Sequence, residues 1–173
     1  KRWLRGRNAE PDGEYAYLFD NDKDTLSMKD KMGFDMTHFL DNEPPTVLAV
    51  VTVYLFHRLE VLIDKGDRLM SIFLDEAWQY LDNPFWSRKL KKWLPTLRKQ
   101  NAHIIFATQS PHTVASSKIS HTILDNCATN IFFANPHAKR EAYIQGFNLT
   151  ESEFLTIKNN DRATRLFLYK QGH

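Results

Sequence analysis

The sequence of 173 residues is short of several things, and each shortage excludes a class of protein. A single cysteine, Cys127, rules out an internal disulfide and suits a reducing compartment. None of the six glycines begins a Gly-x-x-x-x-Gly-Lys-Ser/Thr pattern, so no phosphate cradle of that kind lies within the chain. The seven histidines are scattered without ligand spacing, which argues against a zinc centre, and no Ser-His-Asp arrangement stands out. The formal net charge is only +2, so nothing demands a nucleic acid or an acidic partner. The longest apolar run, Val47 to Phe56, is interrupted by Thr52 and followed by His57, Arg58 and Glu60. It reads as too short and too soon charged to span a bilayer, and predicts a buried core helix. There is no internal repeat and no low-complexity segment.

What is present is enough for one domain with a core, since 42% of the residues are hydrophobic. The chain opens on Lys1-Arg2-Trp3-Leu4-Arg5-Gly6-Arg7 rather than on Met, which suggests a piece of a longer protein. Its first forty residues predict strands and turns, with strands at Tyr15 to Phe19 and Met32 to Met36. Pro44-Pro45 then opens a helix from about Thr46 to Asp64, closed by Gly66. Beyond it the pattern alternates. Strands are predicted at Leu69 to Leu74, Ile104 to Ala107, Thr129 to Phe133 and Thr164 to Tyr169. Helices are predicted at Pro84 to Gln100, Pro111 to Asn126 and Pro136 to Gly146, with Pro95 expected to kink or break the first. Thr150-Glu151-Ser152-Glu153 fits a capping box for one more short helix.

Strands alternating with helices predict an α/β fold, a mainly parallel sheet flanked by helices with right-handed crossovers. In such a sheet the carboxyl ends of the strands share the edge where ligands bind. The run Ser71-Ile72-Phe73-Leu74-Asp75-Glu76-Ala77-Trp78 is a buried strand that stops at two adjacent acids. Paired carboxylates are costly to bury alone, so they usually face a cation or a reacting polar group. In nucleotide hydrolases the first acid of such a pair holds the magnesium shell and the second orients the attacking water. Thr108-Gln109-Ser110 ends the next strand, one crossover helix later, so Gln109 is expected on the same edge. An amide can hold a water and sense a phosphate oxygen at once.

Each of these signals has a plainer alternative. Acids at a strand end are often simply solvated, and an amide there commonly satisfies loop backbone. Arg98, in Thr96-Leu97-Arg98-Lys99-Gln100-Asn101, has the planar fork that suits phosphate charge, yet a cation is also favoured at a helix C-terminus. The cluster Arg88, Lys89, Lys91 and Lys92 reads as a solvated helix face, and Trp86, Leu90, Trp93, Leu94 and Leu97 as core.

Several ordered segments carry a family resemblance. They are Gly33-Phe34-Asp35-Met36-Thr37, Tyr54-Leu55-Phe56-His57-Arg58, Leu74-Asp75-Glu76-Ala77-Trp78, Trp93 to Asn101, Phe106-Ala107-Thr108-Gln109-Ser110-Pro111, Ala128 to Pro136, and Leu149 to Phe154. Over nearly its whole length the chain resembles the C-terminal motor region of the large ATPase of type IV secretion and conjugative transfer systems. This is the VirB-type energiser represented also by TraC, TrwK and CagE, within the HerA–FtsK group of RecA-like P-loop motors. The resemblance implies a RecA-like P-loop NTPase fold lacking here its phosphate-loop strand, with residues 1–173 forming a single partial motor domain and the loop itself upstream.

It also implies an ATPase using ATP and Mg2+, cytoplasmic and peripheral to the bacterial inner membrane, working as a hexamer or other multimer with further secretion components. Such a motor would energise channel or pilus assembly and passage of protein or DNA. The piece alone would be inactive. By position, Asp75 would be the magnesium-associated acid acting through water, Glu76 the water-orienting base, and Gln109, beside Thr108, the γ-phosphate sensor. Arg98 would act on the neighbouring subunit's nucleotide, with Arg140, Arg162 and Arg165 as further nucleotide or boundary contacts. Pro95 departs from the family pattern, which usually has a basic residue there, and that bears on the pose of Arg98. Two alternatives stand beside the motor: a non-catalytic docking segment of the secretion machine, suggested by the 13% aromatic content, and a DNA-translocating motor of the same superfamily.

Overall fold

A computed structural model of the chain describes residues 2–6, 11–76, 81 and 84–172. It divides into two compact units, Lys1–Val51 and Thr52–His173. In the first, helix α1 (Ala16–Phe19) and helix α2 (Thr37–Asp41) precede the start of a long helix. Tyr15 to Phe19 is therefore a helical turn rather than the strand its alternating aromatics predict. Tyr15 and Phe19 are four residues apart and share one side of that turn, where the Trp3 ring meets them at 5.1 and 5.9 Å. Met32 to Met36 is not a strand either: among the described residues nothing pairs with it, and most of it is exposed around Gly33.

Helix α3 (Pro45–Lys65) runs past His57, Arg58 and Glu60, farther than the apolar run alone indicates. Phe56 and Ile63 face the core of the second unit, while Val53 and Val61 are exposed. By length and composition α3 would be able to cross a membrane, with 28% of its apolar window buried. It is thus a helix with a buried stripe, not the fully buried one expected.

The core of the second unit forms where sequence periodicity places it. Helix α4 (Pro84–Trp93) turns Trp86, Leu90 and Trp93 to one side, onto Phe56 of α3, whose ring lies 4.1 Å from Trp86 and 4.9 Å from Trp93. Lys89 differs from the solvated face read for it. Its ammonium pairs with Glu60, which also accepts the Trp93 indole N–H at 2.9 Å. Burial pushes the Glu60 carboxyl up, but Lys89, Trp93 and Lys92 together hold it below the usual glutamate range. The helix ends before Pro95 as expected, and a tight 3-10 turn, Leu97–Gln100, leads into the next strand.

Strands β1 (Met70–Leu74) and β2 (Ala102–Phe106) pair in parallel, Met70 opposite Ala102 and Leu74 opposite Phe106. Beyond them the single sheet expected from the alternation is replaced by a second, separate pair. Strand β3 (Thr129–Phe133) pairs antiparallel with β4 (Phe167–Gln171). Pairing is non-local, and nothing within β3 distinguishes the two partners. Between β2 and β3 the predicted helix is two, α5 (Pro111–Ser116) and α6 (Ser120–Asn126). Cys127 follows α6 against the core, where burial pushes its thiol up to about 11.

Helices α7 (Arg140–Phe147) and α8 (Glu151–Asn159) pack with β3 through Phe132, Tyr143, Phe154 and Ile157. The expected capping box is present at α8: Thr150 accepts the Glu153 N–H at 3.3 Å and the Glu153 carboxylate accepts the Thr150 N–H at 2.7 Å. That backbone bond is the largest influence holding the Glu153 carboxyl low; burial works against it and Lys170, at 3.2 Å, reinforces it.

Gly146 lets α7 approach α5 closely, because a Cβ there would lie 2.5 Å from the Cβ of Ala115. Gly146→Ala is expected to lower stability by about 1–3 kcal/mol through overpacking. Ala115→Gly in the same chain should recover part of the loss in a urea unfolding series.

Candidate functional site

The site expected from sequence depends on β1 and β2 ending together, and the backbone settles where they end. Leu74 stands opposite Phe106, and the Ala107 N–H donates to the Leu74 carbonyl at 3.0 Å. Asp75-Glu76 and Thr108-Gln109 therefore leave neighbouring parallel strands at the same carboxyl-end rim, where such sheets bind ligands. Asp75 and Gln109 are exposed; Glu76 and Thr108 are half-buried. Ala77 and Trp78, which complete the acidic run, lie outside the described residues.

Two local devices shape this rim. The Glu76 backbone is left-handed, φ 48°, and its N–H donates to Asp75 Oδ1 at 3.0 Å. A glutamate there is uncommon, since its Cβ crowds the carbonyl, and such conformations persist where the surroundings over-determine them. Nothing in the sequence signals it. Across the rim, Thr108 Oγ1 accepts the Ser110 N–H at 3.0 Å and Ser110 Oγ shares a hydrogen with Thr113 Oγ1 at 2.7 Å. These bonds fix the loop that holds Gln109 just before Pro111 starts α5.

Arg98 is placed elsewhere. Its turn precedes β2 and is closed by the Asn101 N–H, and the Asn101 carbonyl accepts the Met70 N–H at 2.9 Å, at the amino end of β1. At about 3.3 Å per residue the two ends of this pair are separated by ~13 Å. Arg98 therefore does not share the Asp75 rim.

The other arginines accompany β3 and β4. Arg140 is engaged by Glu151 in a forked, exposed ion pair, Nη2 to Oε2 at 2.6 Å and Nε to Oε2 at 3.0 Å, and Glu151 raises the pKa of its guanidinium. Arg162 begins a 3-10 turn capped by Asp161, and Arg165 ends it with φ 54°. Since Phe133 stands opposite Phe167, both lie at the end of the ribbon where β3 finishes.

The donor set fits part of a Mg-nucleotide site. Magnesium takes hard oxygen ligands and keeps several waters, so one exposed carboxylate suits a water-mediated contact. Among the described residues no group of three or more His, Cys, Asp or Glu forms a ready-made metal cage. The sequence also carries no phosphate cradle, so these residues fit the hydrolytic rim of such a site and not the grip on its phosphates.

Known proteins are similar to this chain over nearly its whole length. Over 99% of its length the chain is 41% identical to the type IV secretion system protein VirB4 of Bartonella henselae, and 35% identical to the type IV secretion system protein PtlC of Bordetella pertussis. The chain belongs to the VirB4 family. It spans about a fifth of the length of the curated relatives it matches, 21% and 20% for these two. VirB4 of Thermoanaerobacter pseudethanolicus has a similar fold, with a TM-score of 0.61 at 21% identity over 79% of this chain and 39% of that one. No family model matches the sequence. At 21% identity the likeness to the Thermoanaerobacter structure shows the fold, an α/β arrangement with a parallel pair and flanking helices.

Proposed function

We propose that this segment is the hydrolytic half of an ATP-driven motor that serves a type IV secretion system. The observation that carries the reading is the Ala107–Leu74 hydrogen bond, which ends β1 and β2 at one rim with Asp75, Glu76 and Gln109 on it. In this reading residues 1–173 are one partial RecA-like domain. A strand bearing the phosphate loop, supplied by the longer VirB4 polypeptide, joins the sheet. A parallel pair is normally covered on both faces, and Phe73 and Ile105 are exposed on one face here, which favours a larger sheet with more cover.

Bound Mg-ATP supplies the electrophilic γ-phosphorus and the departing ADP. Asp75 would hold a magnesium ion through a water, and the ion would supply charge to offset that building on the phosphate oxygens. Glu76 accepts one from the attacking water and orients it, taking its proton as the bond to phosphorus forms. Gln109 donates its Nε2–H to a γ-phosphate oxygen while its Oε1 holds the same water. Arg98 stands too far from this rim to serve the same nucleotide, so it acts on a neighbouring subunit's. Arg162 and Arg165 are further contacts for phosphate or for the subunit boundary, and Arg140 contributes there only by leaving Glu151. The motor works as a hexamer or other multimer on the cytoplasmic side of the inner membrane, coupled to other secretion components and to a protein or DNA cargo.

Mixing two impaired variants tests this reading. Glu76→Gln subunits of full-length protein are expected to be inactive and Arg98→Ala subunits to keep a small measurable rate, while their mixture hydrolyses faster than either alone. A mixed interface there joins an intact Glu76 site to an intact Arg98. No recovery would remove Arg98 from a role in trans, and full hydrolysis by both single variants would favour a docking segment over a motor.

A further inference from the structure

We propose that Gln100, through its hydrogen bond to Asp64, is a positioning residue that orients the Arg98 turn toward a neighbouring copy of the protein. The proposal rests on the role in trans given to Arg98 above. The turn Leu97–Gln100 is a short piece between two breaks. Pro95 ends helical bonding upstream, and Asn101, left-handed at φ 56°, ends the turn downstream with its N–H on the Leu97 carbonyl. A short 3-10 turn has poor internal hydrogen bonding, so its orientation comes from its anchors.

Beyond Thr96, whose N–H and Oγ1 both donate to the Trp93 carbonyl, at 2.8 and 3.0 Å, there are three anchors. Leu97, 3% exposed, sinks into the core and fixes where the turn sits. The Asn101 carbonyl ties its end to Met70. Gln100 supplies the third: its Nε2 donates to Asp64 Oδ1 at 2.9 Å, reaching the last turn of α3 just before Gly66 redirects the chain. Leu97 and the Thr96 bonds hold the turn on the core and α4 side, and Gln100 is the side chain that holds it on the α3 side. Arg98 projects from the same turn and is exposed. An amide bonded to a carboxylate is directional, and it lies outside the apolar core, so removing it loosens orientation without opening a cavity.

The test uses the full-length protein as an assembled multimer, with ATP hydrolysis as the readout. Gln100→Leu is expected to lower kcat about threefold to tenfold with KM for ATP unchanged. In an Arg98→Ala background the same change should cost nothing further, because the turn then carries nothing to aim. Exchanging the pair, Asp64→Gln with Gln100→Glu, keeps one amide on one carboxylate and is expected to restore the rate. Wild-type kcat in Gln100→Leu would overturn the proposal, as would an equal loss in the Arg98→Ala background, which marks a merely structural role. Loss at Arg98 without loss at Gln100 overturns this proposal alone. Wild-type turnover in Arg98→Ala overturns the reading beneath it as well.

Discussion

Glu76→Gln in the full-length protein is expected to abolish ATP turnover while ATP still binds. Glutamine keeps the shape of the side chain and its reach from the left-handed backbone of residue 76. It gives up the charge that orients water and the site that takes its proton. A positioned general base contributes about 10²–10⁴ in rate, which sets the scale of the loss. Phosphate release in a single turnover measures the chemistry, and equilibrium nucleotide binding measures the rest. A variant that hydrolyses ATP at the wild-type rate would take Glu76 out of the mechanism. One that no longer binds nucleotide would show that the side chain supports the grip instead.

The second large effect concerns stability. Trp86→Ala should cost about 3–5 kcal/mol, the range for deleting a buried aromatic side chain. Trp86 is 1% exposed, 4.1 Å from the ring of Phe56, with Phe85 edge-on at 5.1 Å. Phe56 in turn meets Trp93, so one deletion leaves a gap shared by α3 and α4. Domains of ordinary size are held by only about 5–15 kcal/mol, so this substitution removes a large share. Urea unfolding of the chain gives the number. Phe73→Ala on the exposed sheet face, with the same chemistry of loss, is the control expected within ~0.5 kcal/mol. Equal losses at the two positions would mean that the Trp86 cluster is not the core.

The sequence made the rim legible because its signals are local. β1 and β2 are apolar runs that stop at polar residues, and one helix of crossover is enough to make them parallel neighbours. The break at Pro95 and the capping box at Thr150 were equally visible, since each follows from the chemistry of one or two residues. What stayed hidden was non-local or degenerate. Tyr15, Tyr17 and Phe19 alternate as in a strand, yet Tyr15 and Phe19 are also spaced as in a helix, and only Trp3 decides between them. The partner of β3 comes from the far end of the chain. Lys89 looked like one more solvated cation until Glu60, on another helix, was seen beside it. The left-handed Glu76 had no signal of any kind, because a residue type that disfavours a conformation cannot advertise it.

Cys127 has a practical consequence. Its half-buried thiol, pushed up to about 11, is almost wholly protonated at neutral pH, and the thiolate is the form that alkylating reagents attack. Cys127 is therefore expected to react with maleimide dyes more slowly than an exposed cysteine. In this chain a single surface cysteine placed beside Arg98 or Gln109 would take up a fluorophore ahead of Cys127.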